Sequence, residues 1–350
     1  MKLEKAYHYI TNLSSEEINS YFNKIDAMRL NSTKYHQVLF LDLGTKKIKI
    51  ENNIPELAKL LEIQFSCSLC DFSEKYDATI YVWQDDISSQ ISDFAKEAKG
   101  LIISSNTKIP QIEIDLENNQ LKAFNNKTNQ AYFAIKDIST EKVSKWGHLF
   151  VNFIYQMAKT EKSTLVHAAA VGINNKGVLI AAKGGKGKST LAVSCMLDGF
   201  QYVADDYLIL NKDDQLYASP IYSIITLSPA MQQKMPALSS KFLYDNYNNT
   251  KHVLDISHYP TTKKLPIKAV FFPNIVTTEV PTIEPANKGQ AITQLIYSTI
   301  SQMNEKNNPE NIKKLISFLD GLEYYQINLS SDLDANVQIL RTFINKKGDY

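Results

Sequence analysis

The sequence predicts an α/β fold for residues 161–350, preceded by a separate α+β domain over residues 1–160. Three observations carry this expectation. The apolar run Val178-Leu-Ile-Ala-Ala182 leads into a glycine-rich loop and then into a helical pattern from Ser189 to Leu197. Further on, strand-like runs alternate with segments of helical period, the pattern of a sheet covered by helices. Before this, a run of short strands and one amphipathic helix end at the polar Thr160-Glu-Lys-Ser163, which reads as a boundary.

In the first domain, Thr79-Ile-Tyr-Val-Trp83 is β-branched and aromatic and predicts a strand. Gln111 to Leu116 alternates apolar and polar, Glu117 to Gln120 supplies turn chemistry, and Leu121–Phe124 and Ala131–Ile135 continue the meander. A helix is expected from Lys142 to Lys159, with Trp146, Leu149, Phe150, Phe153, Ile154 and Met157 on one stripe. Nothing in these residues carries catalytic spacing. The domain is left as one that binds a substrate or partner, or that supports the fold.

In the second domain, Leu165–Val171, the turn at Asn174-Asn-Lys-Gly177 and Val178–Ala182 form a predicted hairpin. Phe200–Ala204 is a short strand and Lys268–Phe272 a buried one. Ala291–Met303 has helical spacing, Pro309 and Gly321 bracket a further helix, and Asp332–Ile344 is a final amphipathic helix. No internal repeat or low-complexity segment is visible.

The composition is that of a folded domain protein, with 44% hydrophobic and 21% charged residues. No run approaches the roughly 20 apolar residues that span a bilayer, and the start shows no apolar signal core. A cytoplasmic protein without membrane association is therefore expected. The net charge of +1, with both signs mixed along the chain, gives no global reason to expect nucleic acid as a partner. Arginine occurs only at Arg29 and Arg341, which restricts any mechanism that needs a guanidinium. The cysteines are Cys67, Cys70 and Cys195. Cys67-Ser-Leu-Cys70 has the spacing of a redox pair or half a zinc site, but no second pair or histidine cluster follows, so both read as ordinary reduced cysteines.

The chemistry is concentrated in Ala182-Lys-Gly-Gly-Lys-Gly-Lys188-Ser189, a Walker A pattern with alanine at its first position. Gly184, Gly185 and Gly187 let backbone N–H groups close around phosphate oxygens. Lys188 can place its ammonium on the β- and γ-phosphates. Ser189 opens the helix and can hold Mg²⁺ through its hydroxyl, with Thr190 beside it, and the helix N-terminus adds its positive dipole end. ATP and Mg²⁺ are the expected cofactors. Lys183 and Lys186 are loop lysines, and for Lys186 both a phosphate contact and a solvated position stay open.

Seventeen residues after Lys188 a short strand ends in Asp205-Asp206. A carboxylate at a strand end beside a phosphate loop can hold magnesium, and a second can accept the proton of an attacking hydroxyl. His167 lies inside the apolar run Leu165–Val171. Alone it reads as a core histidine, but the predicted hairpin brings its strand beside the one feeding the loop, near the acidic pair.

A histidine-bearing strand, a turn, a strand into Gly-Lys-Ser, a short helix ending in glycine and then Tyr-Val-Ala-Asp-Asp together resemble the HPr kinase/phosphorylase family. Its catalytic domain is related in fold to phosphoenolpyruvate carboxykinase. The match is good over about Thr164–Leu210 and weak to about Ile300. The resemblance implies Asp205 as the base that takes the hydroxyl proton, His167 as the group orienting it, Asp206 as a magnesium ligand, and phosphate-loop roles for Lys188 and Ser189. The classical family has glycine where Ala182 and Ala168 stand. Its later Glu-Ile-Arg-Gly-Leu-Gly stretch corresponds here to Ser219-Pro-Ile-Tyr-Ser-Ile-Ile-Thr-Leu227, without acid or arginine. The family's metal-binding glutamate, oligomer-supporting segment and reverse phosphorolysis are therefore not implied. The chain more closely resembles divergent HPr-kinase-like proteins of peptide-modification systems, some of which phosphorylate a serine.

The leading expectation is an ATP-dependent kinase that transfers the γ-phosphoryl group to a hydroxyl, a serine of a peptide or protein by that resemblance. The alternatives are a phosphotransferase acting on a small-molecule hydroxyl, a non-catalytic nucleotide-sensing module, and a carboxykinase-like or hydrolytic enzyme. A homo-oligomer is left open. Without an arginine between residues 30 and 340, Lys186, Lys188 and magnesium are expected to carry the charge, with Lys263 and Lys264 as further candidates from a short basic cluster.

Overall fold

The computed structural model describes residues 8–10, 13–32, 37–87, 100–103, 111–115, 118–138, 147–245, 250–277, 279–302 and 309–346. The chain divides into two compact units. One comprises residues 1–42, 46–62 and 69–143, the other residues 43–45, 63–68 and 144–350. Both are mixed α/β.

The first unit is built on a nine-stranded sheet. Its meander Ile112–Asp115, Gln120–Asn125 and Gln130–Ile135 is antiparallel, and Ala78–Gln84 then pairs with Gln130–Ile135 in parallel. The helix Ser15–Asn31 starts at a capping box, where the Ser14 hydroxyl accepts from Glu17 N–H and the Glu17 carboxylate accepts from Ser14 N–H at 2.7 Å. It buries Ile18, Phe22 and Ile25 in a core shared with Ile112, Ile114 and Trp83. The expected strands at Thr79–Trp83, Leu121–Phe124 and Ala131–Ile135 lie within observed ones.

In the second unit the sheet order begins Ser163–His167, Tyr207–Lys212, Leu216–Pro220 and Leu265–Ile275. It continues through Lys176–Ile180 and Ala169–Ile173 to Gln201–Ala204. The long strand Leu265–Ile275 joins the two halves. Its first residues pair antiparallel with Leu216–Pro220, and its remainder lies parallel to Lys176–Ile180 on one side and Glu323–Leu329 on the other.

Alternation of side chains makes two cores from this one sheet. Val178 and Ile180 face the helices Lys188–Leu197 and Leu333–Lys346, while Leu179 and Ala181 face Lys288–Gln302 and Pro309–Phe318. A small sheet of Ile224–Leu227, His252–Asp255 and Lys241–Asp245 adds Ile225, Leu227 and Leu254 to the first core.

The predicted hairpin is present as Ala169–Ile173 and Lys176–Ile180. Its two-residue turn has Asn174 at φ 49° and Asn175 at φ 61°, the paired left-handed conformation that asparagine tolerates and hairpin twist favours. The expected helix Lys142–Lys159 is shorter. Residues 142–146 lie outside the described residues, and among those described the helix runs only from Val151 to Ala158. Gly147 (φ 58°) and Phe150 (φ 59°) are left-handed, which interrupts any right-handed continuation. This helix packs on the strand Ser163–His167 and belongs to the second unit, so the division of the chain falls before it and not at Thr160–Ser163.

Candidate active site

The site forms where a β-ladder is interrupted. His167 pairs opposite Tyr207, and Ala170 pairs opposite Ala204. The register is therefore the same on both sides of a gap that contains Ala168-Ala169 on one chain and Asp205-Asp206 on the other. The gap frees backbone groups that a continuous ladder would use. One is the carbonyl of Asp205, which accepts a hydrogen bond from the Lys188 ammonium. The hairpin thus explains only part of the position of His167; its own strand reaches the acidic pair by pairing with Tyr207–Lys212.

The glycine-rich loop joins the strand Lys176–Ile180 to the helix Lys188–Leu197. Gly185 (φ 80°) and Gly187 (φ 92°) are left-handed, and a Cβ on Gly187 would stand 2.7 Å from Leu329 Cδ1. The helix begins at Lys188 and the Leu191 N–H closes its first turn on the Gly187 carbonyl at 2.9 Å. Gly184, Gly185 and Lys186 are exposed, while Ser189 and Thr190 are partly exposed on the first turn.

Lys188 is 7% exposed. Its ammonium lies 2.6 Å from Asp206 Oδ1 and 3.4 Å from Asp205 Oδ1. Asp205 is 2% exposed, and its Oδ2 is buried without a protein partner. Burial pushes the Asp205 carboxyl above the usual carboxylate range, partly offset by the Lys188 charge and the Ser189 hydroxyl. Asp206 moves the other way. Burial would raise it, but Lys188, His167 and His148 together hold it well below the ordinary value. Burial likewise opposes the charge on Lys188, but the two carboxylates outweigh it and its pKa is raised. Adjacent carboxylates with opposite shifts are the arrangement from which separate acid–base and charge-holding roles arise.

His167 stands differently from expectation. Its Nε2 lies 3.3 Å from Asp206 Oδ1, so it orients Asp206 rather than Asp205. Its backbone N–H donates to Thr299 Oγ1 at 3.1 Å, which fixes the strand end against the helix Lys288–Gln302. Two further neighbours carry no signal in the sequence. Thr226 donates to Asp206 Oδ2 at 3.0 Å, completing that carboxylate from the stretch where acid and arginine are lacking. The His148 ring stands edge-on to Tyr207 and Tyr222, 4.8 Å from each ring centre, and burial pushes its pKa down to about 4. The segment carrying it is clamped, since Tyr222 and Tyr244 donate to the carbonyls of Leu149 and Gly147 at 2.7 and 2.8 Å.

Several expected cations lie elsewhere. Lys263 donates to the Cys67 carbonyl and Lys264 covers the Tyr217 ring at 4.1 Å, so this basic cluster serves packing. Arg341 pairs with Asp198 at 2.6 Å, at the C-terminal end of the phosphate-loop helix. Arg29 pairs with Asp26 at 2.8 Å in the first unit. Lys183 covers the Tyr297 ring at 4.6 Å. The Cys67 thiol is pushed up to about 11 by burial, a value that keeps it protonated and inert.

The donor set fits magnesium held with a nucleotide. Among the described residues no group of three or more His, Cys, Asp or Glu side chains could hold a metal. Mg²⁺ in nucleotide sites uses only one or two carboxylates beside phosphate oxygens and water. The unpartnered Asp205 Oδ2, Asp206 and the Ser189 hydroxyl offer oxygen ligands of that kind.

No protein-family model and no curated protein matches the sequence. Among solved structures, the chain is similar to the Hpr(Ser) kinase/phosphatase from Coxiella burnetii, at 13% identity over 53% of this chain and 99% of that one, with a TM-score of 0.27. A likeness this distant lends no weight to a function. Among the described residues no helix is long and apolar enough to cross a membrane.

Proposed function

We propose that the second unit is an ATP-dependent kinase that transfers the γ-phosphoryl group to a hydroxyl, a serine of a peptide or protein by the resemblance drawn from its motifs. One observation carries this reading: the phosphate-loop lysine lies on an acidic pair whose second member is held by a histidine. A solvated loop lysine and a strand-capping Asp-Asp would not meet in a cluster where Lys188 is 7% and Asp205 2% exposed.

Each residue then has a task. Backbone N–H groups from Gly184 to Ser189 bind phosphate oxygens, which compete with the two carboxylates for the Lys188 ammonium. Asp205, with its raised pKa and open Oδ2, takes the proton of the acceptor hydroxyl. The acceptor oxygen forms a bond to the γ-phosphorus as the bond to the bridging oxygen breaks and ADP leaves. Asp206 stays ionised, oriented by His167 and Thr226, and with Ser189 is the ligand set for magnesium. When bound there, the metal neutralises phosphate charge.

The test is transfer from γ-labelled ATP to serine peptides and small hydroxyl compounds. Labelled acceptor is expected with the wild type. Lys188→Ala should cut the rate about a thousandfold, equivalent to roughly 4 kcal/mol of barrier. Asp205→Asn should spare nucleotide affinity and abolish transfer, whereas Asp206→Asn should raise the magnesium requirement; the reverse pattern would exchange the two roles. Phosphate released without labelled acceptor would replace the kinase reading with hydrolysis, and binding without turnover with a nucleotide sensor.

A further inference from the structure

The phosphate loop has one wall that the proposed chemistry leaves unused. The strand Leu265–Ile275 runs parallel to the strand that feeds the loop and ends in Ile275, which is paired with Leu329 of the next strand. Side chains alternate along a strand, so Ile275 lies on the face of Ala269 and Phe271, the face that packs on the phosphate-loop helix. The loop comes down on this pair. A Cβ on Gly187 would stand 2.7 Å from Leu329 Cδ1, and 3.6 and 3.8 Å from Ile275 Cγ1 and Cδ1. Leu329 is covered, at 5% exposure, but Ile275 is left 58% exposed.

The sheet order puts this apolar wall on the far side of the loop from the acids. From Leu265–Ile275 the strands run through Lys176–Ile180 and Ala169–Ile173 to Gln201–Ala204, which leads into Asp205-Asp206. At about 4.8 Å per strand, three steps separate the two ends by about 14 Å, with the loop between them. In the proposed function the γ-phosphoryl group is held at the acid end, where Asp205 Oδ2 is buried without a protein partner. A nucleoside triphosphate lying across the loop from that end carries its ribose and base toward Ile275. The exposed ring on the other flank of the loop does not compete for it. Tyr297 has Lys183 over its face at 4.6 Å, and its helix meets the sheet at His167, on the acid side.

We propose that Ile275 is the platform on which the nucleobase rests, its exposed methyl groups covering one face of the ring. The contact is apolar, and it removes apolar surface of both partners from water. The inference rests on the kinase reading and deepens it, since the Walker pattern and the acidic pair concern only the phosphate end of the nucleotide.

Calorimetry on the full chain compares Mg-ADP with Mg-tripolyphosphate, which has phosphates but neither ribose nor base, for wild type, Ile275→Ala and Ile275→Phe. Ile275→Ala should weaken ADP about five- to tenfold, as expected for losing roughly half of an isoleucine's apolar burial, and leave tripolyphosphate within about twofold. Ile275→Phe offers the base a larger flat surface and should bind ADP at least as well as the wild type. A side chain this exposed can be changed in both ways with little effect on stability. A second readout serves if tripolyphosphate binds too weakly to measure. In wild type isotope-labelled at the isoleucine δ1 methyls, Mg-ADP should move the Ile275 resonance, identified by its absence from Ile275→Ala, upfield through the ring current of the base. Unchanged ADP affinity in Ile275→Ala together with an unmoved Ile275 methyl overturns this inference and leaves the kinase reading standing. A loss shared equally by ADP and tripolyphosphate makes Ile275 a support of the loop and overturns the inference as well. A wild-type chain that binds neither ligand overturns the kinase reading and this inference with it.

Discussion

Replacing Lys188 by Met tests the buried cluster without needing an acceptor. Methionine keeps most of the stem that fills the space behind the loop and removes only the ammonium. The ammonium is 2.6 Å from Asp206 and 3.4 Å from Asp205, and all three side chains are largely buried. Removing one partner of a buried ion pair leaves an uncompensated charge and costs about 3–5 kcal/mol. For a unit of this size that corresponds to a fall in melting midpoint of roughly 6–20 °C. The pH dependence has a definite sign. In the wild type, the depressed Asp206 contributes stability that is present above its unfolded pKa and is lost as pH falls through its lower folded value. Without Lys188 both carboxylates move up, and their protonation relieves the repulsion, so the deficit of Lys188→Met should shrink as pH is lowered from 7 to 5. Adding Asp206→Asn to Lys188→Met should restore part of the lost stability. Thermal and urea melts of the four chains complete the cycle. A Lys188→Met melting midpoint within a degree of the wild type at pH 7 would refute the claim that this cluster is electrostatically tight.

His167→Gln and Asp206→Asn should be coupled in urea melts by about 0.5–3 kcal/mol, whereas coupling of His167→Gln to Asp205→Asn instead would return the histidine to the partner implied by the resemblance. Thr226→Val leaves a buried carboxylate oxygen without its donor and should cost about 1–3 kcal/mol in the same melts; no loss would remove Thr226 from the site. His148 is neutral in the fold with a pKa near 4, below its unfolded value, so folding stability should fall as pH drops from about 6.5 towards 4. His148→Phe, which preserves the ring contacts, should flatten that slope, and an unchanged slope would assign it to another group.

The parts of the site legible in sequence were those encoded within one short stretch. Glycines at 184, 185 and 187 before Lys188 announce a loop, and at Gly185 and Gly187 its left-handed backbone favours glycine; Asn174-Asn175 announces its own turn. The same holds for Asp205-Asp206 after a short apolar strand. Thr226, Thr299 and His148 carried no signal, since a single threonine or histidine acquires meaning only from what tertiary pairing puts opposite it. The orientation of His167 depends on a gap in the ladder at Ala168-Ala169, and small apolar residues announce no gap. Lys263-Lys264 misled for the complementary reason: charge is visible in a sequence, but the carbonyl or ring that absorbs it is not. Similarly, an uninterrupted apolar stripe from Trp146 to Met157 cannot disclose a left-handed Phe150.

The parallel strands Leu265–Ile275 and Glu323–Leu329 beside the phosphate-loop strand also bear on how the unit is assembled in time. The loop leaves the ribosome long before the strand that supports it from Leu265 onward, before Leu329 beside Gly187, and before the helix Leu333–Lys346 that packs behind it. Contacts of such long sequence separation form late, because loop closure must precede any gain from packing. A nascent chain ending between residues 190 and 333 thus carries the whole Walker sequence but lacks at least the helix Leu333–Lys346 behind it. On the proposed function, nucleotide binding in ribosome-arrested chains should switch on only after the helix Leu333–Lys346 has emerged, making ligand capture a report on the docking of that helix.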